Sequence, residues 1–302
     1  AAVPGGHGSA RQHVKVSVPG KVVLLGEYAV TEGGPALVAA TSVRAWGETT
    51  QRSELDSPVV REVRRAAGGP ETPIFIDTSS FRDPSGAKYG FGSSSATAVC
   101  AAALFVGDTG EEVLQVALAG HREAAGGGSG IDVAACYFGG VIAAGRQPGP
   151  VEAMPSRLPG FDLAIFRLGP PVSTSDFVRR CRASADWRRW VEVLRGLADE
   201  GMNAYLRGRA DPFRSAIERF ARALDGLGRS AGVPIITDEA RALARAARSA
   251  GGVAKPSGAG GGDVAIAWLP TDVDAEAVAV AAGVERLPVR VDTAGLRRET
   301  PR

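Results

Sequence analysis

Lysine is nearly missing from this sequence: Lys15, Lys21, Lys88 and Lys255 are the only four among 35 basic residues in a chain of 302. A GC-rich coding sequence gives such scarcity, but so does a chain that keeps lysine only where a compact ammonium serves better than a planar fork. Cysteine is as sparse: Cys100, Cys136 and Cys181 stand far apart with no CxxC spacing. That excludes a disulfide framework and a thiolate zinc site, and it predicts a reducing compartment. Long apolar runs are missing too. The longest nearly apolar stretch, 96–106, falls well short of the roughly 20 residues that cross a bilayer. Residues 1–12 lack the apolar core of a signal peptide. Nor is there an excess of either charge, since 35 basic and 33 acidic residues give a net +2. Neither nucleic acid nor a membrane surface is therefore an expected partner. A soluble, cytoplasmic protein is predicted.

What is present is ordinary globular composition, 44% hydrophobic and 23% charged, with 40 glycines and 19 prolines and no internal repeat. The length suits one large or two medium domains. Residues 13–18 alternate as a strand that Pro19-Gly20 breaks, and 21–25 resume it; 35–40, 42–47 and 73–77 are further strands. Helices are expected at 94–106, at 111–125 ending at Gly126-Gly127-Gly128, and at 131–138, followed by a strand at 141–144. The turn-rich segment 146–160, with four prolines, divides the chain into domains 13–155 and 156–302. In the second half, a strand at 161–168 precedes amphipathic helices carrying Trp187, Trp190, Val191, Leu194 and Leu197 on one face and Ile217, Phe220, Leu224 and Leu227 on another. Thr237 is the expected N-cap of a further helix. Strands at 264–269 and 287–291 flank a helix near 274–282, and Pro288 places the last strand at a sheet edge. This order suggests a split βαβ, ferredoxin-like layer in an α+β protein.

Three glycine-rich segments carry the chemistry: 18–30 (VPGKVVLLGEYAV), 88–96 (KYGFGSSSA) and 255–263 (KPSGAGGGD). In the second, Gly90 and Gly92 permit backbone shapes that other residues resist. Ser93, Ser94 and Ser95 then open a helix, whose free amides and positive dipole end suit a phosphate chain. Alone, this is also an ordinary serine cap after a turn. The third segment sits between a helix and a strand, an odd place for a linker and a good one for backbone that must approach a ligand. The first sets Lys21 at a strand start and Glu27 at a strand end, where both also make sense as solvated charges. A fourth piece, 126–134 (GGGSGIDVA), places Asp132 in the first turn of an apolar helix, either as a cap or as a carboxylate able to orient or deprotonate a hydroxyl.

In this order, the segments resemble the GHMP kinase superfamily. Tyr28 in the string 26–30 (GEYAV), the stretches 127–135 and 255–263, and 172–178 (VSTSDFV) are similar to its phosphomevalonate kinase branch. The resemblance implies an N-terminal domain like domain 2 of ribosomal protein S5, a ferredoxin-like C-terminal domain and an active site between them. It implies ATP and Mg2+ as cofactors, phosphomevalonate as the acceptor, and a monomer or homodimer. Carried over by position, Lys21 and Asp132 are the catalytic pair, and Lys88, Gly90, Gly92, Ser93, Ser94, Ser95 and Ala96 bind the nucleotide, with Ser94 on the metal. Lys21, Glu27, Tyr28, Gly128, Ser129, Ser257, Gly258, Ala259, Gly260 and Gly261 bind the acceptor, with Arg122, Arg179, Arg180 and Lys88 as candidates to grip its phosphate. His121 stands where relatives have a metal-binding glutamate, a poor exchange for an oxygen-seeking ion. Mevalonate kinase or another GHMP small-molecule kinase, and a non-catalytic binding or sensor protein, stay open. A dinucleotide oxidoreductase is more distant, for want of an acidic residue about 20 residues beyond a glycine-rich turn.

Overall fold

The computed structural model describes residues 13–49, 57–145, 151–169 and 174–300, without the side chains of Thr174 and Ser175. Residues 1–12, part of the expected boundary segment (146–150) and positions 172 and 173 of the 172–178 string lie outside the described residues. Two sheets organise the chain.

The first sheet begins with β1 (Lys15–Leu25), paired antiparallel with β2 (Ala36–Thr49). The far edge of β2 pairs with β3 (Ile74–Asp77) through 46–49 and with β4 (Val141–Ala144) through 36–39, and β5 (Val151–Met154) extends β4. Pro19-Gly20, expected to break the strand, instead leaves β1 continuous and only shifts its register. Crowding at this point requires the glycine: a Cβ on Gly20 would meet the Phe91 carbonyl at 2.6 Å and the Phe81 ring at 2.7 Å. The irregularity leaves residues 42 and 43 of β2 over, between the Pro19–Arg44 and Gly20–Thr41 pairs, without ending the ladder. The two strands expected at 35–40 and 42–47 are likewise one, β2, and the turn-rich segment expected at 146–160 contains β5.

Four helices pack with this sheet: α1 (Pro58–Ala66), α2 (Ser93–Val106), α3 (Glu111–Ala125) and α4 (Ile131–Phe138). Helix α2 is alanine-rich because it runs through the core, with every residue from 95 to 104 buried. Glu111 and Glu112 at the start of α3 and Arg122 near its end complement the helix dipole, and Gly126 in the left-handed region stops it. Helix α1, invisible in the sequence pattern, crosses α3 at Gly120.

The chain enters the second sheet at β6 (Phe161–Arg167). Helices α5 (Thr174–Arg182), α6 (Trp187–Leu206), α7 (Ala210–Ala231) and α8 (Asp238–Ser249) follow. Thr237 caps α8 as expected, its hydroxyl accepting from the Ala240 amide at 3.2 Å. Then come β7 (Val253–Pro256), β8 (Val264–Pro270), α9 (Ala275–Ala282) and β9 (Glu285–Leu287), giving an antiparallel order β7-β8-β6-β9. The edge position expected of the last strand holds, but the strand ends before Pro288 rather than continuing to 291. Val291 instead forms a bridge with Thr41, and β10 (Arg297–Glu299) pairs with β1 in the first sheet. No helix among the described residues is long and apolar enough to cross a membrane.

Candidate active site

A cleft of 1460 Å³ collects residues from the end of β1, the start of α2, the end of α3, the start of α4, helix α5 and the loop between β7 and β8. At its centre the Lys21 ammonium lies 3.0 Å from Asp132 Oδ2. Residues 111 positions apart in sequence are joined because β1 delivers one and the first turn of α4 the other. Burial pulls the Lys21 ammonium down, but the Asp132 carboxylate, with Cys136 and Glu27 adding to it, leaves it above the ordinary lysine value. Lys21 is therefore a permanent cation at neutral pH.

The segment before α2 wraps around this lysine. The Lys21 amide donates to the Phe91 carbonyl at 2.8 Å, and a Cβ on Gly92 would stand 2.6 Å from Lys21 Cε. Gly92, at φ 73°, is thus required first by the lysine that passes it. Gly90, at φ 87°, is required in the same way by Asp263, whose Cβ lies 2.9 Å from where a Gly90 Cβ would be. Beyond them the first turn of α2 opens with no side-chain cap on its amides, and Ser93 and Ser94 face the cleft. Across the cleft, built Cβ atoms on Gly126, Gly127, Gly128 and Gly258 would meet nothing within 4 Å. Free helix-start amides facing open glycine backbone fit a phosphate chain.

The donor set for a divalent ion is thinner. Ser94 Oγ and Ser95 Oγ lie 3.3 and 3.4 Å from His121 Nε2. Burial, opposed by Asp132, holds the His121 pKa below its ordinary value, so the imidazole is neutral at pH 7. Among the described residues no group of three or more His, Cys, Asp or Glu side chains could hold a metal. Ser94 and Asp132 both line the cleft, and a hydroxyl and a carboxylate are oxygen donors that suit magnesium, which keeps water and substrate phosphates as its other ligands.

Of the residues expected from sequence, Lys21, Glu27, Tyr28, Lys88, Gly90, Gly92, Ser93, Ser94, Gly128, Ser129, Asp132, Ser257, Gly258 and Ala259 line the cleft. Four do not. Ser95 and Ala96 are buried beneath the start of α2, and Gly260 and Gly261 pack on the turn at Ile235, where the Gly261 amide donates to the Ile235 carbonyl at 3.0 Å. Arg122 and Arg179 reach the wall, whereas Arg180 does not line it and donates to the Gly232 carbonyl at 2.6 Å.

Glu27 is not the solvated strand-end charge that one pattern allowed. It is buried against Lys255, and its Oε1 accepts from the ammonium. Burial pushes the Glu27 carboxyl up and the Lys255 ammonium down, each opposed by the other's charge. Sequence reasoning also passed over Asp263 and Arg182, both on the cleft wall. Asp263 and Tyr28 are the non-glycine residues at positive φ among the described residues. Asp263 Oδ1 is buried with no hydrogen-bond partner, and burial raises its pKa against the pull of Lys21 and Lys88. Its signal was available: an acidic residue closing a glycine run.

Two family models match the chain, one described as the GHMP kinases N terminal domain over residues 57–140 and one as GHMP kinases C terminal over 202–286. The sequence is 31% identical over 255 residues to a phosphomevalonate kinase of Streptomyces sp. (strain CL190), spanning 74% of this chain and 66% of that protein. It is 29% identical over 296 residues to a mevalonate kinase of Aeropyrum pernix, spanning 85% of this chain and 88% of that one. Among solved structures, Streptococcus pneumoniae phosphomevalonate kinase in complex with phosphomevalonate and AMPPNP shares the fold. Its TM-score is 0.76 at 18% identity, with 94% of this chain and 99% of that one covered.

Proposed function

The chain belongs to the GHMP kinase family and has its two-domain fold of mixed α and β structure, and from that premise we propose that it transfers the γ-phosphoryl group of ATP to 5-phosphomevalonate, giving 5-diphosphomevalonate and ADP. The observation that carries the reading is the Lys21–Asp132 contact at 3.0 Å, set beside the open first turn of α2. The resemblance to the Streptomyces enzyme supports the choice of acceptor.

An oxygen of the acceptor phosphate attacks the γ-phosphorus while its bond to the bridging β-oxygen breaks, and ADP leaves. Transition states of this kind are loose and highly charged, so positioning and neutralisation supply most of the acceleration. Lys21 places a cation between donor and acceptor phosphates. Asp132 holds that ammonium in register. The acceptor needs little help from a base, because a phosphate monoester loses its second proton near pH 6. Ser93, Ser94 and the amides at the start of α2 cradle the nucleotide phosphates, with Lys88 beside them. Magnesium would be held by Ser94 together with the nucleotide, and when bound would supply further charge neutralisation. Arg122, Arg179 and Arg182 are the cations placed to take the acceptor phosphate.

The division into 13–155 and 156–302 is supported by the change of sheet between β5, which ends at Met154, and β6, which begins at Phe161, although the end of the second half returns to the first sheet through Val291 and β10. A cytoplasmic monomer or homodimer is the companion reading; the three buried free cysteines support its reducing compartment alone.

A second reading has its own support in the Aeropyrum resemblance: with mevalonate as acceptor, Asp132 acts as the base for a hydroxyl. A coupled assay of ADP release with phosphomevalonate, mevalonate, homoserine and galactose separates them. Turnover is expected with phosphomevalonate. Preference for mevalonate transfers the assignment to the second reading, and nucleotide binding without turnover on any acceptor removes the kinase function.

A further inference from the structure

Lys255 contributes nothing to the cleft wall, yet it is only 1% exposed and its partner Glu27 only 3%. Its ammonium donates to Glu27 Oε1 and, at 2.7 Å, to the Pro256 carbonyl, and it lies 5.9 Å from the centroid of the Phe220 ring. Two buried charges seldom stabilise a fold more than two apolar side chains of the same volume. This pair is not even complete, for Glu27 Oε2 is buried without a hydrogen-bond partner. Stability does not account for it.

Position does. Glu27 follows β1, the strand that carries Lys21, and Lys255 lies in β7 just before the loop 257–259 that lines the cleft. Two more hydrogen bonds join the same segments: the Val23 amide donates to Ser257 Oγ at 2.8 Å, and the Tyr28 hydroxyl donates to the Ala259 carbonyl at 2.7 Å. Tyr28 holds φ at 61°, a conformation that surrounding contacts must impose on a tyrosine. A short piece of the second half is thereby bolted to the strand end bearing the central lysine.

We propose that Lys255 is a positioning residue, whose buried ion pair with Glu27 fixes the 257–259 loop against β1 and so shapes the acceptor end of the cleft. This rests on the kinase reading for the word acceptor. It also gives the scarce lysine a reason at this position. A guanidinium brings five donors in a rigid fork to a pocket that offers few acceptors, whereas an ammonium brings three, two of which are met by Glu27 and the Pro256 carbonyl.

The test compares Lys255→Met and Glu27→Gln/Lys255→Met with the wild-type chain, using whichever acceptor the wild type turns over. Melting temperature and far-ultraviolet circular dichroism are read beside KM for acceptor and for ATP. Lys255→Met, which leaves a carboxylate buried alone, is expected to melt lower and to raise the acceptor KM tenfold or more, with KM for ATP within about twofold. The double variant is expected to regain melting temperature while the acceptor KM stays high. If the single variant does not fold, the double is read against Glu27→Gln alone, because Glu27 itself lines the cleft, and an acceptor KM no higher in the double than in Glu27→Gln overturns the proposal. An acceptor KM that recovers with melting temperature in the double, or one that rises only in step with KM for ATP, overturns the proposal. Absence of wild-type turnover strikes the kinase reading instead, so the two failures are distinct.

Discussion

Lys21 and Asp132 are each ordinary by themselves, a lysine in a strand and an aspartate in a first helical turn. Their contact makes both unusual, because the carboxylate keeps a largely buried ammonium charged where phosphates would meet it. Lys21→Met and Asp132→Asn are expected to lower kcat by about 10²- to 10³-fold, the scale of losing one preorganised charge interaction with a transition state, with an unchanged circular dichroism spectrum. Wild-type rates from both folded variants would remove these residues from the mechanism. At this scale much of the site was legible, since glycine runs, a serine-opened helix and isolated lysines stand out in a string of letters. What was illegible was partnership. No spacing rule pairs Glu27 with Lys255 across 228 positions, and only the folded backbone shows that Gly90 makes room for Asp263. His121 was noticed from sequence, but its 3.3 Å approach to Ser94 was not.

Helices were easier to find than strands because periodicity marks one exposed face over many turns; α3 and α4 begin and end where the pattern does. Helix α1 escaped because only Val60 and Val63 are buried in a run rich in arginine, and β10 because Arg297–Glu299 contains no apolar residue. Both owe their place to neighbours rather than to propensity. The α1–α3 crossing shows how tightly. A Cβ on Gly120 would lie 2.5 Å from the Val63 backbone nitrogen and Cα, atoms that cannot turn aside. Alanine there gains about 1 kcal/mol of helix propensity, yet the overlap is expected to reverse the sign. Gly120→Ala should destabilise the protein by about 1–3 kcal/mol, measured by urea titration. A neutral or stabilising effect would mean that α1 yields easily. The crossing matters for chemistry because the next residues along α3 are His121 and Arg122, both on the cleft wall.

The two halves are held together by charge as well as by the 257–259 loop. Asp83, beyond β3, pairs with Arg167 of β6, and Arg182 of α5 lies 2.8 Å from Glu32. The Ser85 hydroxyl, helped by Arg167 and the Ala87 amide, overcomes the opposing effect of burial and pulls the Asp83 carboxyl down to about 2. A depressed carboxyl stabilises the fold above the unfolded-state value near 4 and loses that contribution as pH falls toward 2. Asp83→Asn should therefore melt below wild type at pH 6, with the gap narrowing once pH drops under about 4. Melting curves from pH 6 to 3 that keep a constant gap would assign the pair no linkage to folding. The pairing of β10 with β1 has a different outcome. Ser17 and Glu299, hydrogen-bonded to each other, are 282 residues apart, so a ribosome makes the second half before it makes the strand that covers this edge of the first sheet. During synthesis the amides and carbonyls on this side of Lys15, Val16 and Ser17 wait uncovered until the whole second half has been made.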